Sequence, residues 1–291
     1  IAGRIPRRVS RPKAPLAEPE RMELKLTSQW HQGSPYNNLC PWGDGGRTLV
    51  GCVATAAAQI MRYWSWPPSG TGTYTYTWDG DDSCGGATAG GTISATFSDA
   101  YDWQNMPDDC VGGCSAAQED ALSELSYEVG VAVDMDYGVC LSGAWLQHPT
   151  RSDVEEALPR NFRYDPDAVY GTVNTDTMTT EIQWLRPLEF AGWTSGDGGH
   201  AWVVYGYNKG TDPNRQFKMN LGWGGGCDGW YTTDVMTTCA PFTLTQEHVT
   251  HIAPLDVVKF VGAADSGDGS PDDPYKNIRE AIALPPVGAP D

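Results

Sequence analysis

Residues 51–64, GCVATAAAQIMRYW, carry the clearest helical pattern in the chain, and they set the terms for everything around them. Val53, Ala56, Ala57, Ile60, Met61 and Trp64 recur at helical spacing, and alanine is the best helix former. Pro67 and Pro68 cannot continue the run and end it. Outside this helix turn residues dominate: 34 glycines and 21 prolines among 291 residues. That density argues against a helical bundle and for a loop-rich α+β or β-rich fold. With 40% hydrophobic residues the chain has the means to build a core.

Other elements follow from period and punctuation. In TGTYTYTWDG, Tyr74, Tyr76 and Trp78 share one face of an expected strand, with threonines on the other. Residues 81–114, rich in Gly, Asp and Cys, read as a loop region open to stapling by bridges. A second helix is expected near 116–130 with Leu122, Leu125 and Val129 inward, and a third near 152–161 with Val154 and Leu158 inward. HAWVVYGYN reads as a strand, KGTDPNR as its turn and QFKMNLGW as the return. Centred near residue 210, that hairpin sets His200 opposite Asn220, with Cβ atoms about 5 Å apart.

The net charge is −18. A phosphate-tracking nucleic-acid binder needs the opposite sign, so no nucleic-acid partner is expected. No apolar run approaches the ~18 residues that span a bilayer, so no membrane partner is expected either. The charge is uneven: residues 1–25 hold seven basic side chains against three acidic ones. Residues 1–21 form a basic, proline-rich arm without the apolar stretch of a signal peptide, read as the tail of a removed upstream segment. Residues 22–255 form the main domain. Residues 256–291 begin as an acidic linker, followed by a short helix capped by Asp273 with Pro274 first and Ile278 and Ile282 as its stripe. This end weakly resembles the entry segment of a β-helix domain.

Eight cysteines without a CxxC pair suggest disulfides in an exported protein, so a secreted location is expected. If one is a reactive thiol, seven remain and one of those stays unpaired. Cys52 stands at the first turn of the alanine-rich helix, where a helix N-terminus favours a thiolate; the alternative is a buried structural cysteine or half of a bridge. His200, behind a run of glycines, is either a catalytic imidazole or a strand-end histidine satisfied by a carbonyl. Asn220 can fix its tautomer or serve as an edge residue. Gln32 can aim its amide at a developing oxyanion or be a solvated loop residue. The five histidines show no ligand spacing and HExxH is absent, so neither metal nor other cofactor is expected.

Taken together, WHQGSPYNNLCP, GCVATAAAQIMRYWSWPPSGTGTYTY, VGVAVDMDYG, GGHAWVVYGY and NLGWGGGCDGWY resemble, in order, the streptopain-like cysteine peptidases, relatives of papain. The resemblance runs from about residue 22 to 255. It implies a papain-like, two-lobed α+β fold, with the nucleophile's helix packed against an antiparallel sheet that carries the histidine. It implies Cys52 as thiolate nucleophile, His200 as its ion-pair partner and general acid, Gln32 as oxyanion stabiliser, Asn220 beside the histidine and Trp223 as its shield. The loop from Ser195 through Gly198 and Gly199 is implied as a wall of the substrate cleft. Expected partners are protein or peptide substrates, favoured where an apolar side chain precedes the cleaved residue, and a cognate prodomain or inhibitor. A monomer is expected.

Two departures stand out. The family often has Trp where Leu221 stands, which should shield the imidazole less, and Asp where Tyr205 stands. The leading reading is a secreted cysteine endopeptidase, in a mature or trimmed form. The competing one is a catalytically retired protease-fold module that binds at a surface. A third moves the acyl group to an amine instead of water.

Overall fold

Helix α1 (Cys52–Trp64) forms where the alanine run predicts it in this computed structural model, which describes residues 19–196, 198–210, 214–234 and 241–255. The expected basic arm up to residue 18 and the helix after Asp273 lie outside the described residues. Gly51 precedes α1 at φ 90°, a conformation glycine reaches without strain, and Ser65 closes it in the left-handed region. Every residue from Val53 to Met61 is buried, as expected of a helix whose small side chains admit neighbours on all sides.

Helix α2 (Ala116–Ala132) starts at a capping box between Ser115 and Gln118 and buries Leu122, Leu125 and Val129. Helix α3 (Val154–Phe162) is capped by the Asp153 carboxylate and buries Val154 and Leu158. Helix α4 (Thr175–Gln183) has no counterpart among the expected elements. Its threonine-rich TDTMTTEIQ has only Met178 and Ile182 as an apolar stripe, and the Asn174 side chain starts it by accepting from the Asp176 and Thr177 amides.

Strands β2 (Thr73–Asp81) and β3 (Thr88–Thr96) form a separate antiparallel hairpin. Tyr74, Tyr76 and Trp78 share the more buried face of β2, as their alternation requires. The loop expected over residues 81–114 is therefore corrected in part, because β3 occupies its first half. Glycines and alternating Thr and Ala carry little apolar signal, and β3 is specified mainly by pairing with β2.

The main sheet runs β4 (Val169–Thr172), β9 (Leu244–Thr250), β5 (Leu188–Trp193), β6 (Gly199–Asn208), β7 (Gln216–Asn220), β8 (Gly229–Tyr231), all antiparallel. Strand β1 (Arg21–Glu23) also pairs with β6. Helix α1 packs against β6, whose residues from His200 to Tyr207 are all buried. This is the papain-like α+β arrangement.

The register of the β6–β7 hairpin differs from expectation. Asn220 pairs with Val203, and His200 pairs with Gly192 on β5. The turn moves it, since Asn208 pairs with Gln216 and the connection is longer on its C-terminal side than a turn centred on residue 210. A bulge between Val204 and Gly206 then takes back one residue and turns Asn220 to the face opposite His200.

Cys84 bonds Cys140 and Cys110 bonds Cys114, and Cys227 is also disulfide-bonded. Cys40 and Cys52 are free thiols, so the unpaired extra cysteine is the buried Cys40.

Candidate active site

Cys52 is the first residue of α1, half-buried and free, and it lines a cleft of about 470 Å³. The glycine before it has a positive φ that other residues reach only with strain, and a Cβ there would displace the end of the Met135 side chain. The Gln32 carbonyl accepts the Val50 amide at 3.0 Å, which ties the Gln32 loop to the approach to α1. Gln32, Gly198, Gly199 and His200 line the same cleft as Cys52. At Gly199 an added Cβ would sit 2.6 Å from the Trp193 indole nitrogen, so this wall packs only without a side chain. Ser195 is exposed and not among the lining residues, so the wall implied by the resemblance reaches the cleft at its two glycines and not at its serine.

His200 stands at the start of β6, and its Nε2 lies 2.8 Å from the Leu221 carbonyl. A carbonyl only accepts, so Nε2 carries the proton and Nδ1 is left as the basic nitrogen. The ring is enclosed by Trp223 at 4.6 Å, Phe242 at 5.2 Å and Trp202 at 6.0 Å between centroids, and His200 is 7% exposed. The weaker shielding expected from Leu221 is thus not found: Phe242 supplies an aromatic face, and Leu221 contributes its backbone.

Asn220 does not pair with the imidazole. Its amide nitrogen donates to the Ser28 carbonyl at 2.6 Å and to Gln59 Oε1 at 3.1 Å, and its oxygen accepts from Gln59 Nε2 and the Gly222 amide. The partner expected of Asn220 is therefore replaced by the next residue's carbonyl. The cause is the register, which sets Asn220 against Val203 and turns its amide toward α1.

Burial dominates the electrostatics of both reactive groups. It pushes the Cys52 thiol up, against backbone hydrogen bonds from Ala201, Val53 and its own amide. It pushes His200 down to about 4, against the Leu221 hydrogen bond. Both shifts favour a neutral thiol and imidazole at rest, in place of the ion pair that the resemblance implies, because burial penalises either charge. The Ala201 contact seats the sulfur beside the residue that follows His200.

Two acids in this region escaped the sequence reading. Glu189 on β5 is fully buried, neither carboxylate oxygen has a hydrogen-bond partner, and its charge would oppose the Cys52 thiolate. Burial holds it well above the usual carboxylate range. Its signal in the sequence is a lone acid between Leu188 and Phe190 in an otherwise apolar run. Glu247 on β9 lines the cleft. Among the described residues no group of His, Cys, Asp and Glu is arranged to hold a metal ion, and no helix is long and apolar enough to cross a membrane.

Comparison with known proteins agrees with this geometry. Residues 30–231 match the model of the peptidase C10 family. The chain is 35% identical over 208 residues to thiol protease/hemagglutinin PrtT of Porphyromonas gingivalis, covering 69% of this chain and 22% of that protein. It is 32% identical over 229 residues to streptopain of Streptococcus pyogenes, covering 72% of this chain and 54% of that one. The matches thus span only about a fifth and about half of these two relatives. The structure of active wild-type interpain A cysteine protease from Prevotella intermedia superposes with a TM-score of 0.69 at 33% identity, over 80% of this chain and 95% of that one. A prointerpain A fragment from the same organism superposes at 0.64 with the same identity. The chain belongs to the peptidase C10 family, the streptopain-like cysteine peptidases.

Proposed function

We propose that this chain is a secreted cysteine endopeptidase that hydrolyses peptide bonds of proteins through Cys52 and His200. The observation that carries the reading is a free thiol at the start of α1 sharing one cleft with an imidazole whose Nε2 proton is already held by the Leu221 carbonyl. His200 Nδ1 takes the Sγ proton as sulfur attacks the scissile carbonyl. The resulting oxyanion is met by the Gln32 amide and the Cys52 backbone N–H. The C–N bond then breaks, the imidazolium gives its proton to the leaving amine, and a thioacyl-enzyme remains. Water, deprotonated by the same imidazole, attacks the thioester; the C–S bond breaks, the acid leaves, and the imidazolium returns its proton to the Cys52 sulfur. Trp223 and Phe242 keep water from the ring's flanks. Gly198 and Gly199 leave room for substrate backbone.

The retired-module reading drew on Leu221 and on a bridged Cys52; the free Cys52 thiol removes the second support. The bridged cysteines fit an oxidising, extracellular setting. The test is labelling of the native protein with an epoxysuccinyl thiol-protease inhibitor, read by intact mass and peptide mapping. One adduct on Cys52, lost in His200→Ala, is the expected result. Full casein turnover by Cys52→Ser would sink the mechanism.

A further inference from the structure

One row of residues crosses the cleft floor on three neighbouring strands: Ala201 on β6 pairs with Ala191 on β5, and Ala191 pairs with Glu247 on β9. Directly paired residues project from the same face, and all three line the cleft. Strands lie about 4.8 Å apart, so Glu247 stands about 10 Å from the residue whose backbone touches the Cys52 sulfur. The floor therefore offers two methyl groups and then a carboxylate.

That carboxylate is held but not neutralised. The Tyr170 hydroxyl donates to Glu247 Oε2 at 2.6 Å, and Glu247 makes no ion pair among the described residues. The other acidic and basic side chains lining the cleft, histidines aside, are Asp136 and Arg151. The Arg151 charge acts on Asp136, while Glu247 responds to burial, which raises it, and to the Tyr170 hydroxyl, which lowers it. A carboxylate with a free oxygen at the end of an apolar floor matches a side chain with a hydrocarbon stem and a cationic head. Successive side chains of an extended substrate point to opposite sides at about 3.4 Å per residue. With its carbonyl at Cys52, such a substrate sends one of the side chains next to the attacked residue over Ala201 and Ala191.

We propose that Glu247 makes this cleft selective for arginine or lysine on the residue immediately preceding the cleaved one. The inference rests on the peptidase reading and refines it: the stem lies over Ala201 and Ala191, as an apolar side chain would, and the head pairs with Glu247.

The test uses fluorogenic dipeptidyl substrates that share the residue at the cleaved bond and carry arginine, citrulline or leucine before it. The wild-type enzyme is expected to prefer arginine over its neutral isostere citrulline at least tenfold in kcat/KM, and Glu247→Gln is expected to shrink that ratio to near one. Equal rates on arginine and citrulline by the wild type overturn the proposal without recourse to any variant. So does an unchanged ratio in Glu247→Gln. Epoxysuccinyl labelling of Cys52 in the same preparations separates the two levels: a labelled, leucine-cleaving enzyme that ignores the cation defeats this inference alone, whereas an unlabelled protein inert on all three substrates defeats the peptidase reading and this inference with it.

Discussion

Asn220 and Gln59 exchange two amide hydrogen bonds, at 3.1 and 3.2 Å, across the interface between β7 and α1. Gln59 also accepts the Trp30 amide, and Asn220 also donates to the Ser28 carbonyl, so the pair joins the entering chain, the helix and the sheet at one buried point. An asparagine in this place is a structural clamp, and the imidazole is oriented by a backbone carbonyl instead.

Asn220→Ala should therefore lose stability without losing its chemistry. Orphaning the buried partners costs about 1–3 kcal/mol for each group left without a bond, and urea unfolding should show a loss in that range or somewhat above it. Below the transition, kcat should stay within a few-fold of wild type. A hundredfold drop in kcat in a variant of normal stability would mean that Asn220 governs the imidazole after all.

The pH dependence follows from His200. It accepts the thiol proton only while neutral, and burial holds it down to about 4 against an ordinary value of 6.5. The acidic limb of kcat/KM is expected well below 6.5. Stability has the same sign: the unfolded chain takes up this proton near 6.5 and the native chain only near 4, so His200's contribution is lost as pH falls through that interval. A limb at or above 6.5 would contradict the buried neutral imidazole.

Asp81 supplies a second, more acidic dependence. Burial opposes its charge, but the Ser83 hydroxyl and the amides of Asp44, Ser83 and Val139 prevail and hold it at about 2. With its native value depressed, its contribution is complete above the ordinary carboxylate range and disappears as pH falls toward 2. Asp81→Asn should be less stable than wild type at neutral pH, with the gap closing between about pH 4 and pH 2. A gap that stays constant over that range would rule out the charged form as the cause.

Glu189 predicts a gain. A fully buried carboxyl with no hydrogen-bond partner destabilises the native state, and Glu189→Met is expected to raise stability by about 1–3 kcal/mol in chemical denaturation. The Cys52 labelling rate should not fall, since the group removed opposes the thiolate. A less stable variant would show that the carboxyl is satisfied in solution.

Elements with their own local pattern were legible in the sequence. The alanine run gave α1 and its breaker, the leucine and valine spacing gave α2, and alternation gave β2. Helix α4 and strand β3 were not, because threonine and glycine carry no apolar period and these segments form through an asparagine cap and a partner strand. At the site, Cys52, His200, Gln32 and Trp223 could be named from motif order, and the structure brings Cys52, His200 and Gln32 to one cleft with Trp223 against the imidazole. The misplaced partner of His200 has a physical origin. A longer turn and a bulge change which residues face each other, and nothing in HAWVVYGYN marks where the extra residue goes. Backbone groups such as the Leu221 carbonyl have no side-chain letter to read.

The Cys84–Cys140 bond fastens the β2–β3 hairpin to the segment that continues into Leu141 and Ser142 at the cleft wall, closing a sequence separation of 56 residues. Loop closure on that scale is worth about 4 kcal/mol in the chain-entropy model. A free thiol at Cys52 and a bonded pair at Cys84 and Cys140 thus ask opposite things of the medium. For the proposed peptidase, the sulfur of the nucleophile has to stay reduced while the sulfurs beside the cleft wall have to stay joined.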